Sequence, residues 1–248
     1  KFDRYNKQEY EYLKEGAHSK RRIMHVADRT GNSIENHLIR QIRQRKNVKV
    51  RERCDLIRLT VRDNKCQGAV LFDSAKKQLV QLMSKATVIA TGGAGMVYEH
   101  NTNWGGSTGD GVAVAYEAGA VIRDMEFYQF HPTAIRLQRK RKGVKNFLIS
   151  EAVRGEGAVI VDDTGERFLF DADQRGEMAS RDIVSRAIVD RMEKGHQVFL
   201  DLSPMDVDIR KKFPVIFSNC YRYGIDIRKI RIPIVPVAHY MIGGIRTN

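Results

Sequence analysis

Apolar and polar positions along this chain follow two rhythms. Between 32 and 45, Ile34, Leu38, Ile39 and Ile42 recur at helical spacing among polar residues, which predicts a packing helix. From 48 to 89 the rhythm shortens. Runs at 48–50, 56–61, 68–72 and 78–82 are separated by Asp, Asn, Lys and Gly clusters and predict a meander of antiparallel strands. The apolar run 87–90 predicts a buried strand feeding a glycine turn at Thr91, Gly92 and Gly93. Residues 107–111 lead into a small-residue helix over 112–118 that ends at Gly119. Further on, 158–169 reads as a hairpin with an Asp/Gly turn, followed by a helix over 180–194 with Ile183, Val184, Ala187, Ile188 and Met192 on one face and Gly195 closing it. A strand at 198–202 and a helix over 206–223, ended by Gly224, complete the pattern. Pro233 and Pro236 argue against an ordinary central strand at 232–240.

Composition narrows the class. The 248 residues are 42% hydrophobic and 29% charged, which suits a globular chain and excludes a disordered one. No apolar run approaches the roughly 20 residues of a membrane span, and the opening KFDRYNKQEY is not a signal peptide, so a cytoplasmic protein without membrane partners is expected. Cys54, Cys66 and Cys220 form an odd set without a CxxC pair. Reduced, mostly buried thiols are expected, with neither a disulfide framework nor a metal site.

The formal charge of +13 raises the question of nucleic acid. Its densest run, Arg136, Arg139, Lys140, Arg141, Lys142 and Lys145, lacks interleaved aromatics and any helix-turn-helix or zinc-finger pattern. A solvated loop is expected there, and no nucleic-acid partner. The same basic field concentrates anionic substrates.

Chemistry gathers between 90 and 134. The glycines at 92 and 93 serve either a plain turn or the close approach of a ligand to the backbone. Thr108 and Asp110 stand where an N-cap would, and Asp110 also suits a ligand hydroxyl better than a phosphate. His131 is fixed between an aromatic run and Pro132. Arg181 stands in the first turn of its helix, where a cation opposes the helix dipole unless something anionic is bound.

The strings ATGGAG at 90–95, NTN at 101–103, STGDGVAVAYEAGA at 107–120 and DMEFYQFHPTA at 124–134 resemble the flavoprotein family of the L-aspartate oxidases and of the succinate dehydrogenase and fumarate reductase flavoprotein subunits. The match extends outward from KEGAHS at 14–19 to HYMIGG at 239–244 and covers nearly the whole chain. It implies an α/β plus α+β fold: part of a Rossmann-like FAD-binding domain with an antiparallel meander over 1–131, an α+β capping domain over 132–238, and a return to the FAD-binding domain over 239–248. The family's N-terminal GxGxxG turn, which seats the ADP half of FAD, does not occur in this sequence, so an internal fragment of a longer protein is expected.

The resemblance also implies roles. FAD is held non-covalently, with His18, Ser19, Thr91, Gly92, Gly93 and Asp110 as cofactor residues. Glu15 meets a substrate α-ammonium group, the Ser150 hydroxyl meets a substrate carboxylate where the family usually has threonine, and His131 and His239 also bind substrate. Arg181 is the catalytic cation, with Glu151 as a relay for its proton. Ala17 replaces a glycine of the family loop, a change that matters if the position needs positive φ. The RGE string at 175–177 and Glu15 favour L-aspartate as substrate over succinate, with oxygen or fumarate as acceptor and a hand-off to quinolinate synthase. Two other readings stand beside this: a succinate dehydrogenase or fumarate reductase flavoprotein, and an inactive fragment without bound FAD.

Overall fold

A computed structural model describes residues 1–136 and 146–247. The basic run at 139–145 lies outside the described residues; Arg136 is exposed. In chain order the elements are β1 (Tyr12–Leu13), β2 (Ile23–Met24), α1 (Thr30–Arg43), β3 (Cys54–Arg62), β4 (Lys65–Asp73), β5 (Gln78–Met83), α2 (Asp110–Glu117), β6 (Ile122–Arg123) and β7 (Tyr128–Ile135). There follow α3 (Ala152–Gly155), β8 (Val159–Asp162), α4 (Leu169–Ala172), α5 (Arg181–Glu193), β9 (Val198–Asp201), α6 (Ile209–Lys212), α7 (Pro214–Arg222), β10 (Ile232–Met241) and β11 (Gly244–Ile245).

Two compact units divide the described residues. One comprises Lys1–Ile42 with Phe130–Val237, the other Arg43–Gln129 with Ala238–Asn248. This departs from the expected grouping at the N-terminus, because residues 1–42 pack with the segment that follows β7. Leu13 belongs to that segment's core, and the Asp28 carboxylate accepts from the amides of Val215 and Ile216 at 3.2 and 2.8 Å, capping α7. The expected helix over 32–45 forms as α1, yet none of its residues is buried and Ile34, Leu38, Ile39 and Ile42 are exposed. Its apolar stripe is therefore not the packing face that was expected.

The first unit is built on a four-stranded sheet in the order β7-β10-β9-β8. Alternating residues of these strands, Ile160, Val198, Leu200, Ile232 and Ile234, are buried with Val184 and Ile188 of α5 and Phe213, Ile216 and Cys220 around α7. β10 is a central strand despite its prolines, contrary to expectation. The reason is register: β9 pairs only with Ile232 and Pro233, so Pro236 lies beyond β9, while the Pro233 carbonyl still accepts from the Arg136 amide at 2.8 Å. The helix expected over 206–223 is two helices, divided where Pro214 cannot continue α6 but suits the first turn of α7. The expected hairpin over 158–169 has one strand only, and its second arm curls into α4.

The second unit carries the meander β3-β4-β5, antiparallel as expected. Gly68 in β4 has φ +144, and a Cβ there would stand 1.9 Å from the carbonyl oxygen of Leu82, so the close strand approach requires glycine. Residues 48–50 and 87–90 form no strand: neither run has a paired neighbour among the described residues, and Val88 is 88% exposed. α2 forms at 110 and stops before Gly119, which takes φ +90. Of the three thiols only Cys220 is buried, where burial pushes it up to about 12; Cys54 is half-buried and Cys66 exposed, which corrects the expectation of mostly buried cysteines.

Asp162, fully buried at the end of β8, ties the sheet to α5. Its Oδ1 accepts from Thr164 N, Thr164 Oγ1 and Glu166 N at 2.9, 2.7 and 3.0 Å, and its Oδ2 from Arg191 Nε at 2.8 Å. Burial alone would raise this carboxyl, but the hydrogen bonds from Thr164 and Arg191 and the amides of Glu166 and Thr164 hold it well below the ordinary carboxylate range. A depressed carboxylate contributes stability above its unfolded pKa of about 3.9 and loses it as pH falls. Asp162→Asn is expected to lower stability near neutrality by about 1–3 kcal/mol, because a fully buried charge-assisted acceptor is lost and Arg191 keeps only the exposed Glu166 carboxylate. Its urea midpoint should also fall less steeply than the parent's below about pH 4, a difference that chemical unfolding across pH measures directly.

Candidate active site

α5 begins at Arg181 after an extended Ser180, whose hydroxyl donates to Asp182 Oδ1 at 2.5 Å and gives the helix no side-chain cap. A cation at this end is opposed by the helix dipole, and two carboxylates offset the conflict. Arg181 Nε donates to Glu151 Oε2 at 2.6 Å, and its NH2 stands 3.9 Å from Glu15 Oε2. Arg181 and Glu15 are each 27% exposed and Glu151 only 3%. The inner oxygen of Glu151 accepts from Arg154 NH2 at 2.6 Å, three residues along the same turn. Burial draws the Arg154 guanidinium below its ordinary value, while Glu151 acts against that shift. Arg154 NH1 in turn donates to the carbonyl of Glu177. Arg181, Glu151 and Arg154 thus form a line leading from the half-open surface into the core.

The loop carrying Glu15 lies directly on this line. A Cβ at Gly16 would come 2.2 Å from Glu151 Oε1, and one at Gly155 would come 1.9 Å from the Lys14 carbonyl oxygen. Glycine at both points lets backbone touch backbone and carboxylate. Ala17 donates its N–H to Met178 O at 2.8 Å and has φ +61, so the position that departs from the family's glycine does need the left-handed region. His18 is half-buried, and its Nδ1 is shielded from solvent without a hydrogen-bond partner among the described residues; Ser19 is exposed.

His131 and Ser150 enter from the pairing of residues 133 and 149. Thr133 O accepts from Ile149 N at 2.9 Å, and Thr133 Oγ1 donates to Ile149 O at 3.0 Å. His131 is 1% exposed, and its Nδ1 accepts from Thr133 N at 3.2 Å. Ser150 Oγ accepts from Ala152 N at 3.3 Å in a local turn that places the hydroxyl one residue ahead of Glu151, the N-cap position of α3.

The remaining candidates belong to the second unit. Thr91 and Gly92 are exposed and Gly93 half-buried in extended chain; Gly92 has φ +79 with nothing within 4 Å where a side chain would stand. A Cβ at Gly111 in α2 would meet Thr91 Oγ1 at 1.9 Å, so the glycine segment and the helix start are in direct contact. Neither Thr108 nor Asp110 caps α2. Gly109 is the N-cap at φ +86, and Thr108 Oγ1 donates to Asp110 Oδ2 at 2.7 Å. His239 Nδ1 pairs with Thr102 Oγ1 at 2.7 Å, and its carbonyl accepts from Asn103 Nδ2 at 3.1 Å. The NTN string is therefore the seat of His239, a role its sequence does not disclose. Within the second unit, bare backbone at Gly92 and an open helix start are features that fit a large polar cofactor.

Residues 1–248 match the family model described as FAD binding domain, and the chain belongs to that family. FAD is its cofactor. More particularly, the chain is similar to L-aspartate oxidase of Synechocystis sp., 43% identical across 100% of this chain and 45% of the relative. It is likewise similar to L-aspartate oxidase of Yersinia pestis, 40% identical across 96% of this chain and 46% of the relative. Among solved structures it resembles quinol fumarate reductase of E. coli with a TM-score of 0.90 and 31% identity, over 99% of this chain and 45% of that one. The chain spans about half the length of the curated relatives it matches.

Positive φ at Ala17 sets a test. Replacing alanine by glycine in ordinary backbone costs about 0.5–1 kcal/mol, but here the relief of left-handed strain offsets that cost. Ala17→Gly is expected to leave the thermal midpoint unchanged or raised, and Ala17→Val to lower it.

Proposed function

We propose that this chain carries catalytic and substrate-binding residues for the FAD-dependent oxidation of L-aspartate to iminoaspartate. The observation that carries this reading is Arg181 held between a buried Glu151 and the half-exposed Glu15. L-Aspartate has two carboxylates and an amine, so its site needs cations or donors for the first two and an anion for the third. Arg181, His131 and Ser150 supply the first kind of group, Glu15 the second, and His239 keeps the substrate-binding role that the family resemblance gives it. FAD, when bound, would supply the acceptor for the hydride of the substrate α-carbon, an amine proton being lost alongside, and His18, Ser19, Thr91, Gly92, Gly93 and Asp110 would hold it. Arg181 clamps a carboxylate electrostatically, since a guanidinium is a poor proton donor, and proton transfer at Arg181 relayed through Glu151 ranks second. Oxygen or fumarate serves as acceptor, FAD is held non-covalently, and the reaction runs in the cytoplasm, with the product passed to quinolinate synthase for NAD formation.

The likeness to quinol fumarate reductase favours a second reading, a succinate or fumarate flavoprotein, which would use the same Arg181 on a dicarboxylate without the amine. Glu15 separates the two, because a carboxylate facing an unaminated dicarboxylate is repulsive.

The deciding measurement is an absorbance spectrum after incubation with FAD and desalting, followed by anaerobic L-aspartate and, separately, succinate. A retained flavin band bleached by L-aspartate alone is expected. Bleaching by succinate alone would favour the second reading, and loss of the flavin on desalting would show that this chain is inactive by itself. Arg181→Gln is expected to lower kcat/KM by about a hundredfold or more. Glu15→Gln should raise KM for L-aspartate by about tenfold or more and weaken its preference over succinate.

A further inference from the structure

Glu177 is nearly buried, at 5% exposure, in the single turn Gly176–Met178 that precedes Arg181. Its carboxylate is held from one side. Oε1 accepts from the amide of Ile160 in β8 and from Arg167 Nε, each at 3.2 Å, and Oε2 accepts from Arg167 NH2 at 2.8 Å. This is a two-pronged clamp on a core strand and a guanidinium. Gly176, with φ +51, lies under the Phe170 ring, where a Cβ would come 2.6 Å from Cζ.

The other side of the same turn faces the candidate site through its backbone. The Glu177 carbonyl accepts from Arg154 NH1, and the Met178 carbonyl from Ala17 N at 2.8 Å. The Ala179 carbonyl oxygen is 3.0 Å from the Cβ position of Gly16. Three successive carbonyls thus meet the residue behind Glu151 and the loop carrying Glu15, and Arg181 follows two residues later. All of this lies within one compact unit.

We propose that Glu177 is a positioning residue. By fixing residues 177–179 from behind, it holds Arg154, the Glu15 loop and Arg181 in mutual register. The kinetic consequence rests on the function proposed above; the structural coupling does not. Groups of this kind act by fixing the orientation of those that touch substrate.

The test uses the full chain and residue-resolved amide hydrogen exchange, with the Ala17 amide as reporter and the amides of α7 as control. Glu177→Ala should speed exchange at Ala17 by about tenfold or more while α7 changes by less than about twofold. Glu177→Gln, which keeps an acceptor for Ile160 N, should restore part of the protection, and Arg167→Gln should show a smaller effect of the same kind. If Glu177→Ala does not fold, the last two variants decide. Unchanged exchange at Ala17, or equal acceleration at Ala17 and α7, would overturn the proposal.

Kinetics supply the second arm. Where the parent oxidises L-aspartate, Glu177→Gln should lower kcat/KM by about tenfold at an unchanged melting temperature; an unchanged kcat/KM would overturn the catalytic half. Where the parent oxidises neither L-aspartate nor succinate, the functional reading fails, and the exchange experiment still decides the coupling.

Discussion

The candidate site depends on a single buried carboxylate. Glu151 accepts from Arg181 through one oxygen and from Arg154 through the other, and its 3% exposure leaves water little part in neutralising it. Burying one acid against two guanidiniums requires its hydrogen bonds to be made, since removal of Glu151 leaves the buried Arg154 without a compensating charge. That requirement governs the surroundings. α3 and α5 must present their first turns to each other, and the loop carrying Glu15 must pass close enough to bring a second carboxylate to Arg181 without displacing Glu151. The outer guanidinium remains part-exposed at 27%, which suits the carboxylate clamp proposed for it.

Much of this organisation was legible in the sequence because periodicity and glycine placement are local signals. The three strands of the meander, the helix from 181 and its stop at Gly195 follow from alternation and capping rules that act over a few residues. Features decided by distant neighbours were not legible. The run 87–90 has the composition of a strand but no paired neighbour among the described residues. β10 tolerates two prolines because its register with β9 ends at Pro233. The stripe on α1 reads as a packing face, and only the three-dimensional arrangement shows it exposed.

The site divides in the same way. Arg181, Glu15 and Glu151 were nominated by motif, and the structure brings these three together. Arg154 was missed although an acid and an arginine three residues apart on one turn are a recognisable pair. Thr102 and Asn103 belong to the NTN string, but their bonds to His239 cross more than 130 residues of sequence, which no local pattern reports. His131 was predicted to be rigid, and its burial against Thr133 gives that rigidity a cause.

Gly16 and Gly155 have a consequence for how this site can change. At both, the backbone lies where a side-chain carbon would have to be, against the Glu151 carboxylate in one case and the Lys14 carbonyl in the other. The contact is one backbone thick, with no margin for bulk. Under the proposed function, variation in substrate scope is therefore channelled into the identity of residue 15, whose side chain projects from the loop without bearing its weight. Replacing Gly16 would instead shift the carboxylate that orients Arg181, and replacing Gly155 would push the Lys14 backbone away, so the loop's chemistry can be exchanged while its shape cannot.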